Sequence, residues 1–178
     1  MQVDLKQTVS LLERTPLMMC ALLEGISEEL IRSNEGPGTW SAFDVLGHLI
    51  HGEKTDWIPR AKIILQEGEN RPFDPFDREA MLETSKGKTL AELLEEFDRL
   101  RKENLETIRT MNLSPSDYAR KGMHPALGSV TLGELLATWV VHDLDHLTQV
   151  LRVTAKYFGS AVGPWEAYLS VLNDRVQK

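Results

Sequence analysis

Val141-His142-Asp143-Leu144-Asp145-His146 lies inside the longest uninterrupted amphipathic stretch of the chain, Thr131 to about Tyr157. A capping box, Thr131-Leu132-Gly133-Glu134, opens that stretch, and Gly159 and Gly163-Pro164 break it. On a helical wheel His142 and His146 share the face of Leu135, Trp139, Val150 and Val153, so both imidazoles turn toward a core. Two histidines at i and i+4 can clamp a single ion. Imidazoles on an apolar face need partners for their nitrogens, which a metal supplies and which carboxylates or water supply more commonly. The motif alone leaves both readings open.

Working outward, three more long helices emerge. Residues 3–24 form the first, with Pro16 expected to bend or split it, and Ser27 to Ile31 suggest a short helix behind Gly25. Asn34-Glu35-Gly36-Pro37-Gly38 reads as a turn. The second long helix opens at Ser41, with Asp44 completing a capping-box analogue, and runs to about Gln66, with Pro59 distorting it and Gly68 ending it. The third begins at the capping box Thr89-Leu90-Ala91-Glu92, carries Leu93, Phe97, Leu100, Leu105 and Ile108 at near-heptad spacing, and stops at Ser114-Pro115. Trp165 to Val176 reads as a short terminal helix. Four long helices and no strand pattern predict an all-α four-helix bundle, a single domain spanning residues 1–178. The Pro-, Gly- and charge-rich connection Gly68–Lys88 is unusually long for a bundle. Extended, it covers roughly 60 Å, enough to return the chain so that the second and third helices run parallel.

A net charge of −7 argues against a grip on nucleic acid through phosphate neutralisation. No window holds the ~18 apolar residues of a membrane span, and the first residues lack a signal-peptide layout. Cys20 is the only cysteine, which excludes an internal disulfide and a thiolate zinc cluster. A cytoplasmic protein without nucleic acid or membrane partners is the expectation.

A third ligand for one ion has to come from a facing helix. His48 is the best placed along the chain, although the wheel sets it away from the Leu46/Ile50/Trp57 stripe, and His51 competes on equal terms. Glu53 falls on that stripe, where a carboxylate needs a partner. It can orient an imidazole, bind the ion or act as a base on bound water; equally it can form a core salt bridge, with Arg101 the candidate. Asp143 faces inward and Asp145 outward, leaving Asp143 between support of the site and an ion pair. His124, before Pro125, reads as a loop residue, and Trp40, Trp57, Trp139 and Trp165 as fillers of core or pocket walls.

Two stretches carry a resemblance. Thr39-Trp40-Ser41-Ala42-Phe43-Asp44-Val45-Leu46-Gly47-His48-Leu49, with Glu53 beyond it, resembles the second-helix signature of the DinB/YfiT-like superfamily. Gly128 to Leu136, followed by His142-Asp143-Leu144-Asp145-His146, resembles its fourth-helix signature. The resemblance covers nearly the whole chain and implies an up-down-down-up bundle. It further implies a metal triad of His48, His142 and His146, a divalent ion such as zinc or nickel, and often a homodimer. Three neutral imidazoles leave a coordination position open, as in catalytic sites. Two chemistries follow: activation of a low-molecular-weight thiol for S-transfer to an electrophile, with Glu53 assisting proton movement, or activation of water for hydrolysis. Characterised relatives favour the first; a non-catalytic binding bundle is the third possibility.

Overall fold

The computed structural model describes residues 3–173. The first helical stretch is two helices, α1 (Leu5–Leu12) and α2 (Arg14–Leu23), which meet at Glu13. Pro16 causes no break of its own, because it sits in the first turn of α2, where a missing N–H is harmless. A short α3 (Glu28–Arg32) follows. The second long stretch also divides, into α4 (Ala42–Thr55) and α5 (Trp57–Gln66), with Pro59 again placed in a first turn. The long connection contains α6 (Ala80–Thr84), and α7 (Leu90–Thr110) and α8 (Leu132–Tyr157) are the two longest helices. Ser41, Thr89 and Thr131 each accept the N–H three residues on, and Asp44, Glu92 and Glu134 bond back to the cap, so all three boxes read from the sequence are formed. Asn112, at φ 49°, stops α7 two residues before Ser114, in the left-handed conformation that asparagine tolerates.

Two apolar clusters fix the helix directions. One joins Leu12 of α1, Ile64 of α5, Ile108 near the end of α7 and Leu135 near the start of α8. The other joins Leu23 of α2, Leu46 of α4, Phe97 early in α7 and Val150 late in α8. The α4–α5 pair and α7 therefore run from the second cluster to the first, parallel to each other. The α1–α2 pair and α8 run the opposite way. This is the up-down-down-up bundle, and the long connection makes the parallel pair possible.

Three expectations are corrected. The segment before α8 is an antiparallel hairpin, β1 (Lys121–His124) and β2 (Gly128–Thr131), with Lys121 opposite Thr131 and His124 opposite Gly128. Four-residue strands such as Lys-Gly-Met-His show no alternation to read. Gly122 is required there, since a Cβ would come within 2.7 Å of Ile64 and 2.9 Å of Phe73. The terminal helix is instead a 3-10 turn, Gly163–Tyr168, and a short α9 (Ser170–Asn173); the rest of that expectation, to Val176, lies outside the described residues. Trp165 is 70% exposed and is therefore no filler of the core. No described helix is long and apolar enough to cross a membrane.

At the bundle centre Arg101 is fully buried. Its guanidinium donates to Asp143 Oδ2 (2.6 Å) and Oδ1 (3.1 Å), Glu53 Oε1 (2.8 Å) and the Leu12 carbonyl (2.7 Å). Thr15 donates to Asp143 at 2.6 Å, and Asn104 and Trp139 donate to Glu53 at 2.9 and 3.1 Å. Every one of the bundle's four helical columns contributes a group. Arg101→Met strands two carboxylates and is expected to cost about 3–5 kcal/mol in urea unfolding at pH 7. Burial already pushes Glu53 upward against the pull of Arg101. Without that pull its folded-state pKa lies further above the unfolded value. The variant's deficit should therefore shrink as the pH is lowered and grow as it rises.

Candidate metal centre

The wheel places His48 off the apolar stripe of its helix because α4 is enclosed on more than one side. A Cβ on Gly47 would meet Ser85 Oγ at 2.5 Å and Met81 Cβ at 3.1 Å, so α6 lies directly against that face. Phe76, from the same connection, packs edge-on to His48 at 5.4 Å. The segment between the parallel helices thus covers the histidine, which is 4% exposed. Buried positions on α4 run almost without interruption from Ala42 to Ile50.

Under that cover three rings converge. His48 Nε2 and His142 Nε2 are 3.1 Å apart, and one ligand nitrogen from each of His48, His142 and His146 lies within 4.8 Å of the others. Ring centroids are separated by 4.4 to 5.2 Å. Trp40 lies 4.8 Å from His48 and stacks on His146 at 6.2 Å, while Trp57 meets His142 edge-on at 5.1 Å. Gln149 Oε1 is 3.0 Å from His146 Nδ1; as an acceptor it holds the proton there and leaves the Nε2 lone pair free. Burial, reinforced by the neighbouring rings, pushes His48 and His142 down to about 3. Burial lowers His146 too, against opposing influences from Gln149, Asp145 and Asp143. At neutral pH the centre is three uncharged imidazoles.

This donor set fits a divalent ion. Bonds of ~2.0–2.1 Å in tetrahedral array set ligand nitrogens roughly 3.3 Å apart, close to the His48–His142 separation. Nothing thiolate is present to close the site. Beside the rings lies a cavity of about 390 Å³ walled by Trp57, Phe73, Phe76, Leu127 and Leu135.

A sequence model described as the DinB superfamily matches residues 11–150. The chain belongs to the DinB superfamily. Among members and relatives, it is 24% identical over 149 residues (83% of this chain, 84% of the other) to an Oceanobacillus iheyensis protein whose name proposes a metal-dependent hydrolase. Its fold is similar to that of YfiT from Bacillus subtilis, described as a probable metal-dependent hydrolase with an unusual four-helix bundle topology. That likeness has a TM-score of 0.74 at 22% identity, covering 86% of this chain and 87% of YfiT. The four-helix bundle protein TT2238 is similar at a TM-score of 0.55 and 20% identity, over 83% of this chain and 98% of that one.

In this DinB-superfamily chain the other candidate residues fall in different places. His51 is half-buried, packs on Phe76 at 4.9 Å and stands outside the triad. Glu53 is absent from the cavity wall, and its carboxylate is occupied by Arg101, Asn104 and Trp139. Its carboxylate forms the core salt bridge with Arg101. Asp143 likewise pairs with Arg101, while Asp145 lines the cavity. His124 sits on β1, accepts the N–H groups of Ala126 and Leu127 through Nδ1 and lines the cavity as well. Sequence reasoning missed Phe76, Arg78 and Gln149. Only Gln149 left a local signal, as the polar neighbour three residues after His146.

Glu35 ties the loop before α4, which leads into Trp40, to α8. Arg152 donates to Glu35 three times at 3.0–3.1 Å, and Lys156 pairs with it at 2.7 Å. The Arg152 hydrogen bonds, with help from Lys156, hold Glu35 down to about 2 from 4.5. Because the folded value is depressed, the stabilisation is complete above pH 4.5 and is lost as the pH falls toward 2. Glu35→Gln is expected to cost about 2 kcal/mol at pH 7, with the gap to the native protein closing by pH ~2 in chemical unfolding series.

Proposed function

We propose that this protein is a divalent-metal-dependent hydrolase of small molecules, with His48, His142 and His146 as the ligands and zinc or nickel as the ion. The observation carrying this reading is the convergence of three uncharged imidazoles on one side of an aromatic cavity. The names given to the Oceanobacillus relative and to YfiT support it. A divalent ion at these nitrogens supplies Lewis acidity, polarising a carbonyl oxygen and acidifying water at neutral pH. The protein's residues do the rest. Gln149 sets the tautomer of His146, Trp40 and Trp57 hold the rings and keep bulk water away, and the cavity receives the apolar part of the substrate. Asp145, one residue before His146 and on the cavity wall, is the carboxylate we assign to accept a proton from the attacking water. Glu53 is a positioning residue that acts through Trp139 and Arg101.

Thiol S-transfer uses the same three histidines and the same open face, so the test carries both chemistries. Protein purified without a histidine tag should contain about one equivalent of divalent metal by elemental analysis, and His48→Ala and His146→Ala should not. Metal-loaded protein should cleave activated esters or anilides, with chelation abolishing turnover. Asp145→Asn should lower kcat ~10²-fold or more at unchanged metal content. Reaction of a thiol with a chlorodinitroarene, without cleavage of any ester or anilide, would replace hydrolysis by transfer. Native protein that retains no metal would end both readings.

A further inference from the structure

A second cavity, of about 490 Å³, adjoins the first at His146, and Arg78, Asp145 and His146 line both. The two differ in character. Trp57, Phe73, Phe76, Leu127 and Leu135 give the first a mainly apolar surface, with Asp56, Arg60 and Glu134 also on its wall, whereas Thr39, Glu79 and Gln149 make the second polar. Most of the charges around them are already engaged. Asp56 pairs with Arg60, Glu134 closes the cap of α8, and Glu35 holds Arg152 and Lys156. Arg78 has no ion-pair partner among the described residues and lies over the Trp40 ring at 5.9 Å. Glu79 on the polar wall is likewise an acid without an ion-pair partner among the described residues, while Asp145 has the proton-accepting role assigned above. One available cation and one available anion around one chamber match a group that carries both charges, better than they match a simple anion or amine.

We propose that the substrate has two parts: an α-amino acid head in the polar chamber and an aromatic group in the apolar one. An amide or ester from the amino acid's side chain joins them beside the histidines. The head's carboxylate pairs with Arg78 and its ammonium with Glu79. Water adds to the carbonyl carbon, the bond to nitrogen or oxygen breaks, and that atom takes a proton, giving a free acid and an aromatic amine or alcohol. The reaction rests on the hydrolase reading above; the two-chamber binding does not, and the two can fail separately.

The test uses γ-glutamyl anilide and three truncated forms, lacking the carboxylate, the ammonium or the phenyl ring. Binding is measured by calorimetry on metal-depleted full-length protein, so that no ion captures the carboxylate. The intact probe should bind at least tenfold more tightly than each truncated form. Arg78→Gln should remove the advantage of the carboxylate while leaving the des-carboxyl probe unaffected, and Arg78→Lys should restore most of it. Thr138→Trp, which fills the apolar chamber, should make the intact and ring-less probes equal. Equal binding of all four probes, or an Arg78→Gln loss identical for charged and uncharged probes, would overturn the proposal. If metal-loaded protein cleaves simple aryl esters but shows that flat binding, the hydrolase reading stands and the two-part substrate falls. Probe selectivity in protein that never retains metal does the opposite: the two-chamber binding stands and hydrolysis falls.

Discussion

The Arg101 guanidinium between Glu53 and Asp143 is the constraint on which the site depends. α4 carries both Glu53 and His48, and α8 carries both Asp143 and the His142/His146 pair. A slide of α8 along α4 by one helical turn, ~5.4 Å, would break the ion pairs and part the rings together. Hydrophobic contacts along these helices tolerate small shifts in register; a buried guanidinium with four directed bonds does not. The polar layer trades stability, which an apolar core of equal volume would supply as well, for a fixed relation between two helices.

The second constraint is topological. Parallel α4–α5 and α7 require a connection that runs back the length of the bundle, and the chain uses it as a wall. Gly47 lets α6 lie against α4. Phe73 is pinned where its N–H meets the Met123 carbonyl at 2.9 Å, and Phe76 covers His48 and His51. The hairpin that receives Phe73 also presents His124 and Val130 to the cavity. Both irregular segments are thus parts of the pocket, while the helices hold the ligands.

This division explains what could be read from the sequence. Capping boxes and apolar periodicity are local signals, and they located all the long helices. His142 and His146 sit on one helix with the core residues, so their inward direction was legible as well. His48 was not, because a wheel assumes one buried face and α4 is covered on several, by a segment whose packing is non-local. The resemblance, not the periodicity, picked it out. Glu53 was recognisable as a buried carboxylate needing a partner, but choosing between Arg101 and the centre required distances. The hairpin left no trace because its short strands are held by Ile64 and Phe73 and have no apolar alternation of their own. Arg78 lies in a Pro-rich connection, where sequence says nothing of direction.

The charged layer and the neutral one also act on each other. Arg101 contributes to keeping His142 unprotonated, and Asp143 pulls the other way on His146. Arg101's own charge is secured by the two acids, which outweigh the cost of its burial. A cation arriving at the three imidazoles therefore meets uncharged rings, with the carboxylates of Asp143 and Asp145 acting in its favour at His146 and the charges of Arg78 and Arg101 against it at His142. Protons, the natural competitors for those nitrogens, are kept off chiefly by burial, which penalises a lone imidazolium. An ion that forms bonds to all three nitrogens at once offsets that penalty in a way that a proton on a single ring does not.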